Sequence, residues 1–287
     1  MASIGSREPV RRVLVAGIAR SGTTWITHAL RECSDVSLVH EPDNDRLHPE
    51  AAVAKADLGL YPLLRPGDPA PAYARLFRAA YGDAVPGPVT GGATVVKSVH
   101  AALALDWLLT EVPVDAGLVV VRHPANVIGS WRDLGWSAHA FPWSDERLWA
   151  AVADPGRHPG EPGTFVERAA WQFAFLADAL VRTAGERGLT VVDHEDVLAD
   201  PVARLRDVAA RLGLEWTDAA STWVSERDRA GQGYEIERVA AEERGRWRTR
   251  LDPDDLSVVA GVVGRFPSLA GRWELPRPAP GPHPVAD

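Results

Sequence analysis

Lysine is almost absent from this chain: of 31 basic side chains in 287 residues, only Lys55 and Lys97 are lysines. Cysteine is as scarce. Cys33 stands alone, which excludes an intrachain disulfide and suits a reducing compartment. Basic charge is in deficit, with a net charge of -8, so an extended nucleic-acid surface is excluded while a local basic pocket is not. No apolar run approaches the roughly 20 residues needed to cross a bilayer. The opening "MASIGSREPVRR" lacks the apolar stretch of a signal peptide. No spacing of His, Cys and carboxylates suggests a metal site. The expectation is a soluble, cytoplasmic protein without a nucleic-acid partner, a transmembrane segment or a metal.

What is present is an ordinary globular composition, 46% hydrophobic and 24% charged. The length suits one large α/β domain with a well-buried core. Short β-branched runs at 12–17, 36–39, 93–97, 118–122 and 190–193 alternate with helical patterns at 23–31, 101–109, 126–134, 164–187 and 201–212. That alternation predicts a central parallel sheet of about five strands flanked by helices, a three-layer α/β fold. Asp200-Pro201 has the form of an N-cap followed by proline at the first helical position. Two irregular stretches, at 58–81 and 137–162, interrupt the alternation and carry aromatics. The tail at 276–287 is proline-rich, with the composition of a disordered segment.

Ligands of an open parallel sheet bind beyond the carboxyl ends of its strands, so the residues just after each strand carry the functional signal. After the first comes "VLVAGIARSGTTW", residues 13–25. Its glycines are spaced as in a phosphate-binding loop, and the amides of the helix that follows form an anion site. The lysine such a loop carries for ATP is missing, with Thr23 in its place. Arg20 supplies a cation instead, and Ser21, Thr23 and Thr24 supply hydroxyls. After the fourth strand comes "VVVRHPANVIGSW", with Arg122 at the strand end, Pro124 opening a helix and Ser130 two turns into it. An arginine at a strand end is costly to bury unless it meets an anion.

Arg20, Ser21, Gly22, Thr23, Thr24 and Trp25 resemble, residue by residue, the 5′-phosphosulfate loop of sulfotransferases that use 3′-phosphoadenosine 5′-phosphosulfate (PAPS). Arg122 and Ser130 resemble that family's 3′-phosphate motif, in the expected order. The resemblance implies a P-loop-type fold spanning residues 1–275, and sulfonate transfer from PAPS to a hydroxyl, less readily an amine, with 3′,5′-adenosine bisphosphate as product. It extends to "WQFAFLADALVRTAGERGLTVVDHEDVLADP", whose Asp196 and Asp200 read as helix caps. The segment Gly245, Arg246 and Trp247 is similar to the part of the family that closes over the nucleotide, without its usual upstream Arg-Lys-Gly.

Sulfuryl transfer needs a cation at the leaving oxygen and a base for the acceptor's proton. Lys97, ending the strand "ATVVK" in a lysine-poor chain, is the expected cation beside Arg20, since a compact ammonium suits one oxygen. Glu41 in "LVHEP" is the expected base. His100 is the substitute or acceptor-orienting group, because the position two residues beyond the lysine, where some family members carry a histidine base, is Val99. Strand alternation would turn His40 away from Glu41. Asp43 and Asn44 read equally as acceptor contacts or loop caps. The stretches 58–81 and 137–162 are expected to shape a partly apolar acceptor pocket, for a small molecule, glycoside or lipid. The rival functions are a P-loop kinase, which needs the missing lysine and a magnesium carboxylate, and a non-catalytic nucleotide-binding protein.

Overall fold

The computed structural model describes residues 10–82, 92–136, 141–150, 163–227, 229 and 240–276. Five parallel strands form one sheet: β1 (Arg11–Gly17), β2 (Val36–His40), β3 (Ala93–Ser98), β4 (Ala116–Val121) and β5 (Thr190–Asp193). Their order across the sheet is β2-β3-β1-β4-β5. The expected α/β architecture is what the chain adopts, with each strand within two residues of its expected bounds. Arg122 falls just past the end of β4 rather than in it.

Helices follow in chain order: α1 (Thr23–Arg31), α2 (Pro49–Ala54), α3 (Pro71–Ala80), α4 (Leu105–Glu111), α5 (Pro124–Asp133), α6 (Glu146–Trp149) and α7 (Phe165–Arg187). Beyond β5 come α8 (His194–Val197), α9 (Pro201–Arg211), α10 (Asp218–Glu226), α11 (Ala240–Gly245), α12 (Trp247–Arg250) and α13 (Pro253–Val263). The continuous helix expected over 101–109 is split, with a 3-10 turn at Ala101–Ala104 before α4. Asp200 caps α9, its carboxylate accepting from the Ala203 amide at 3.2 Å. The expected disorder of the tail, and residues 137–140 and 151–162 of the second irregular stretch, lie outside the described residues apart from Pro276.

Alternation along the strands divides the core in two. Val13 and Val15 of β1 pack with Ile26, Leu30, Leu205 and Val208, beneath α1 and α9. Leu14 and Ala16 face the opposite layer, built on Phe173, Leu176 and Leu180 of α7 with Trp107 and Phe266. α7 is long because its signals agree. Thr164 caps its start, its hydroxyl accepting from the Glu167 amide at 3.1 Å, and Gly188 ends it in the left-handed region at φ 68°. Buried aromatics on such a face contribute about 3–5 kcal/mol each against truncation to alanine.

The register aligns the carboxyl ends. His40 lies opposite Lys97, and Lys97 opposite Val15; Val121 lies opposite Asp193. Connections leave β1 toward β2 on one side and reach β4 on the other, so a crevice opens at the end of β1. The first irregular stretch is not a loop: α3 packs Tyr73 and Phe77 into the core.

Candidate active site

A cleft of about 860 Å³ occupies that crevice, lined along one side by Arg20, Gly22, Thr23, Thr24, Trp25 and Arg122. The loop between β1 and α1 is built tightly. A side chain at Gly17 would place its Cβ 2.5 Å from the Thr23 methyl, and Gly22 sits at φ 91°, where glycine is the unstrained residue. Arg20 takes φ 76° and Glu41 φ 49°, left-handed conformations that cost a non-glycine residue about 1–3 kcal/mol and concentrate at functional sites. Ser21 is fully buried, and its hydroxyl has no hydrogen-bond partner.

Arg20 reaches α5. Its Nε donates to Ser130 Oγ at 2.9 Å, joining the two sequence motifs across 110 positions. Ser130 Oγ thus accepts from Arg20 and keeps its own proton free to donate. Arg122 donates through Nη1 to the Arg20 carbonyl at 3.2 Å and through Nη2 to Glu243 at 2.6 Å. Its Nε lies 3.5 Å from Glu195 without a hydrogen bond. Glu195 is oriented by the His123 amide and by Asn126 Nδ2, at 3.0 and 2.9 Å.

On the β2–β3 side, Lys97 Nζ donates to Thr24 Oγ1 at 3.0 Å and pairs with Glu41 Oε1; both residues are buried. Asn44 Nδ2 donates to Glu41 Oε2 at 2.6 Å, so Asn44 caps the carboxylate. Burial raises the Glu41 carboxyl. The Lys97 charge and hydrogen bond and the Asn44 bond outweigh it, holding Glu41 below the usual carboxylate range. Burial lowers Lys97, and Glu41 offsets that only in part. Burial likewise lowers His100, whose ring lies 5.8 Å from that of Tyr61.

The expectation for His40 fails. It lines the cleft with its Nε2 3.7 Å from Glu41 Oε1, because the left-handed backbone at Glu41 breaks the alternation of the strand. Asp43 is an internal anchor: Tyr73 Oη and Ser98 Oγ donate to its carboxylate at 2.9 and 2.7 Å, and Lys55 Nζ donates to its carbonyl at 2.9 Å.

The Gly245–Trp247 segment does not line the cleft. Gly245 and Trp247 line a neighbouring cavity of about 560 Å³. There Trp247 stacks on His123 at 4.3 Å, and Arg246 pairs with Glu243. Glu243 on the short helix α11 pairs with both Arg122 and Arg246.

Two cleft residues escape the sequence reasoning. His194 follows β5 directly, is fully buried, and packs so closely on the loop that a Cβ at Gly22 would lie 2.1 Å from its ring. Burial, then Arg122, drives its pKa well below that of a free histidine, so it is neutral. The signal was positional, since the residues just after β2 and β4 are also site residues. Glu243, buried between Arg122 and Arg246, is held ionised because those two charges outweigh its burial. Nothing in "AAEERGRW" distinguishes it from its neighbour Glu242.

With this geometry in place, the likeness to known proteins is specific. A sequence profile described as "Sulfotransferase family" matches residues 12–218. No curated protein sequence matches the chain. Among solved structures, the sulfotransferase domain from the curacin biosynthetic pathway is 14% identical with a TM-score of 0.53, covering 94% of this chain and 100% of that one. The sulfotransferase domain of the Synechococcus PCC 7002 olefin synthase is 16% identical with a TM-score of 0.50, covering 96% and 99%. These likenesses show the shared fold. The profile shows the family: the chain belongs to the sulfotransferases, enzymes that transfer sulfonate groups. None of the helices described is long and apolar enough to cross a membrane.

Proposed function

We propose that this sulfotransferase takes its sulfonate from PAPS and transfers it to a hydroxyl of a small-molecule, glycoside or lipid acceptor, using one domain that spans residues 1–275. The observation that carries the proposal is the meeting of Arg20 with Ser130, beside Arg122 on the Arg20 carbonyl. Two anion-binding motifs a hundred residues apart thereby form one wall of one cleft, as a donor with two anionic ends requires. The loop fits such a donor: the Ser21 hydroxyl is buried without a partner, and the turn at Gly22 leaves no room for a side chain. The amides opening α1 and the hydroxyls of Thr23 and Thr24 favour a phosphosulfate there. Arg122 is the residue for the 3′-phosphate, in place of its carboxylate partner Glu243.

In this proposal Lys97 and Arg20 neutralise charge growing on the leaving oxygen, and Glu41 accepts the acceptor's proton. The Lys97–Glu41 pair couples the two events. While Lys97 Nζ bonds Glu41, the carboxylate is a weak base. As the ammonium turns to the leaving oxygen, Glu41 loses the partner that depresses its pKa and gains affinity for the proton. Asn44 holds the other carboxylate oxygen, so one oxygen is presented to the acceptor. His100, lining the cleft, is placed to orient the acceptor or to substitute as the base.

The test is a mass-spectrometric screen of alcohols, phenols and glycosides with PAPS, read as a sulfonate mass gain. Turnover is expected in the native chain and not in Glu41→Gln or Lys97→Ala. Turnover supported by Mg-ATP and not by PAPS would assign the chain to the kinases instead.

A further inference from the structure

The acceptor end of the cleft carries its own specificity signal, which rests on the proposed transfer. α7 is apolar over its buried face, with Ala170, Trp171, Phe173, Ala174 and Phe175 all within the core. Gln172 interrupts that run. It is 5% exposed, lines the cleft, and its Oε1 is buried without a hydrogen-bond partner. An amide oxygen left unpaired in an apolar setting is destabilising, so a ligand donor that satisfies it gains affinity accordingly. Burial pushes the neighbouring Tyr61 phenol up to about 12, with a smaller opposing pull from Gln172. Tyr61 packs on the His100 ring at 5.8 Å, and His100 Nδ1 is a second buried polar atom without a hydrogen-bond partner.

Around these atoms the surface is apolar, with Leu60 and Val99 lining the cleft. Of the charged side chains that line the cleft, Glu41 and Lys97 pair with each other and Arg46 is exposed.

We infer that the acceptor is a largely apolar alcohol or phenol that bears a second hydrogen-bond donor, a hydroxyl or N–H, read by Gln172 Oε1. Gln172 is then a specificity residue. A site built around a buried acceptor atom discriminates against the analogue that lacks the donor, because the atom is otherwise left unpaired.

The experiment pairs mono- and dihydroxy aromatics of three lengths: phenol with hydroquinone, 2-naphthol with 2,6-dihydroxynaphthalene, and 4-phenylphenol with 4,4′-dihydroxybiphenyl. Each is assayed with PAPS on the full chain for kcat/KM. At one length the diol is expected to exceed its partner at least tenfold, beyond the statistical factor of two. Gln172→Leu and Gln172→Met, checked for folding by their thermal shift with 3′,5′-adenosine bisphosphate, are expected to collapse that ratio toward two. A native ratio near two at every length overturns the inference, as does a ratio that survives both substitutions. A chain that binds the bisphosphate and sulfonates none of the six also overturns it, with the donor site left standing. A chain that fails to bind the bisphosphate overturns the donor site, and the inference with it.

Discussion

Arg20 Nε and Ser130 Oγ meet at 2.9 Å, the one from the turn after β1, the other from the second turn of α5. The contact fixes a mobile guanidinium that the left-handed backbone of its own residue has already turned toward α5. Removing the hydroxyl costs the guanidinium one charge-assisted hydrogen bond. Ser130→Ala is expected to lower kcat/KM for PAPS about tenfold, in line with 1.5–3 kcal/mol for such bonds. An unaltered kcat/KM would mean that the contact is incidental to the donor.

The base prediction separates chemistry from binding. Glu41→Gln keeps the shape and the Asn44 neighbour but removes the proton acceptor. A loss of about 10²–10⁴ in kcat is expected, with affinity for 3′,5′-adenosine bisphosphate retained. Lys97 loses its counter-ion in this variant, so its thermal melt is read alongside. If kcat survives in a folded Glu41→Gln chain and falls in His100→Ala, the base is His100.

Glu243 predicts a gain. Its carboxylate sits on Arg122 at 2.6 Å, where the donor's 3′-phosphate is proposed to bind. Glu243→Gln removes an anion that the phosphate must displace, so bisphosphate affinity is expected to rise about fivefold or more, the lower edge of ordinary coupling energies. Weaker binding in the calorimeter would show instead that Glu243 holds Arg122 in place for its ligand.

Much of this was legible before any coordinate. β-branched runs such as "VLVAG" and "LVVV" place the strands, since buried parallel strands need little more than apolar, stiff side chains. Arg20, Thr24, Glu41, Lys97 and Arg122 line one cleft because the strand ends and the loops after them meet at the edge where such sheets bind ligands, while Ser130 reaches Arg20 from the second turn of α5. Relations between distant side chains were not. His40 turned toward Glu41 because one residue adopted a positive φ, which no periodicity reveals. α3 was hidden by the prolines around "PAYARLFRAA", although proline at a first helical position starts a helix as readily as it breaks one. Glu243 and Gln172 depend on burial, and the sequence around each gives no sign of which polar residue is enclosed.

Acid should weaken the fold through His123. Its Nδ1 accepts from the Ala125 amide at 3.2 Å, capping α5, and its Nε2 faces the Glu274 carbonyl at 3.1 Å. Only the neutral ring fits both, and burial, against a smaller upward pull from Glu274, lowers its pKa to about 4. The unfolded chain, with an ordinary value near 6.5, binds the proton first. Stability from this group is therefore complete above pH ~6.5 and lost as pH falls toward 4, by about 3 kcal/mol. His123→Asn keeps a capping oxygen and should flatten that slope in urea unfolding between pH 7 and 4. An equally steep loss in the variant would move the effect to other groups.

The central claim is that Arg20 and Arg122 belong to one donor site made for a sulfonate carrier with a 3′-phosphate. Isothermal titration of 3′,5′-adenosine bisphosphate without magnesium tests it most directly, on the native chain and on Arg20→Ala and Arg122→Lys. Binding is expected in the native chain and weakened about tenfold or more in each variant, with Mg-ATP a poor competitor. Binding that both substitutions leave at full strength, or a preference for Mg-ATP, would contradict the account.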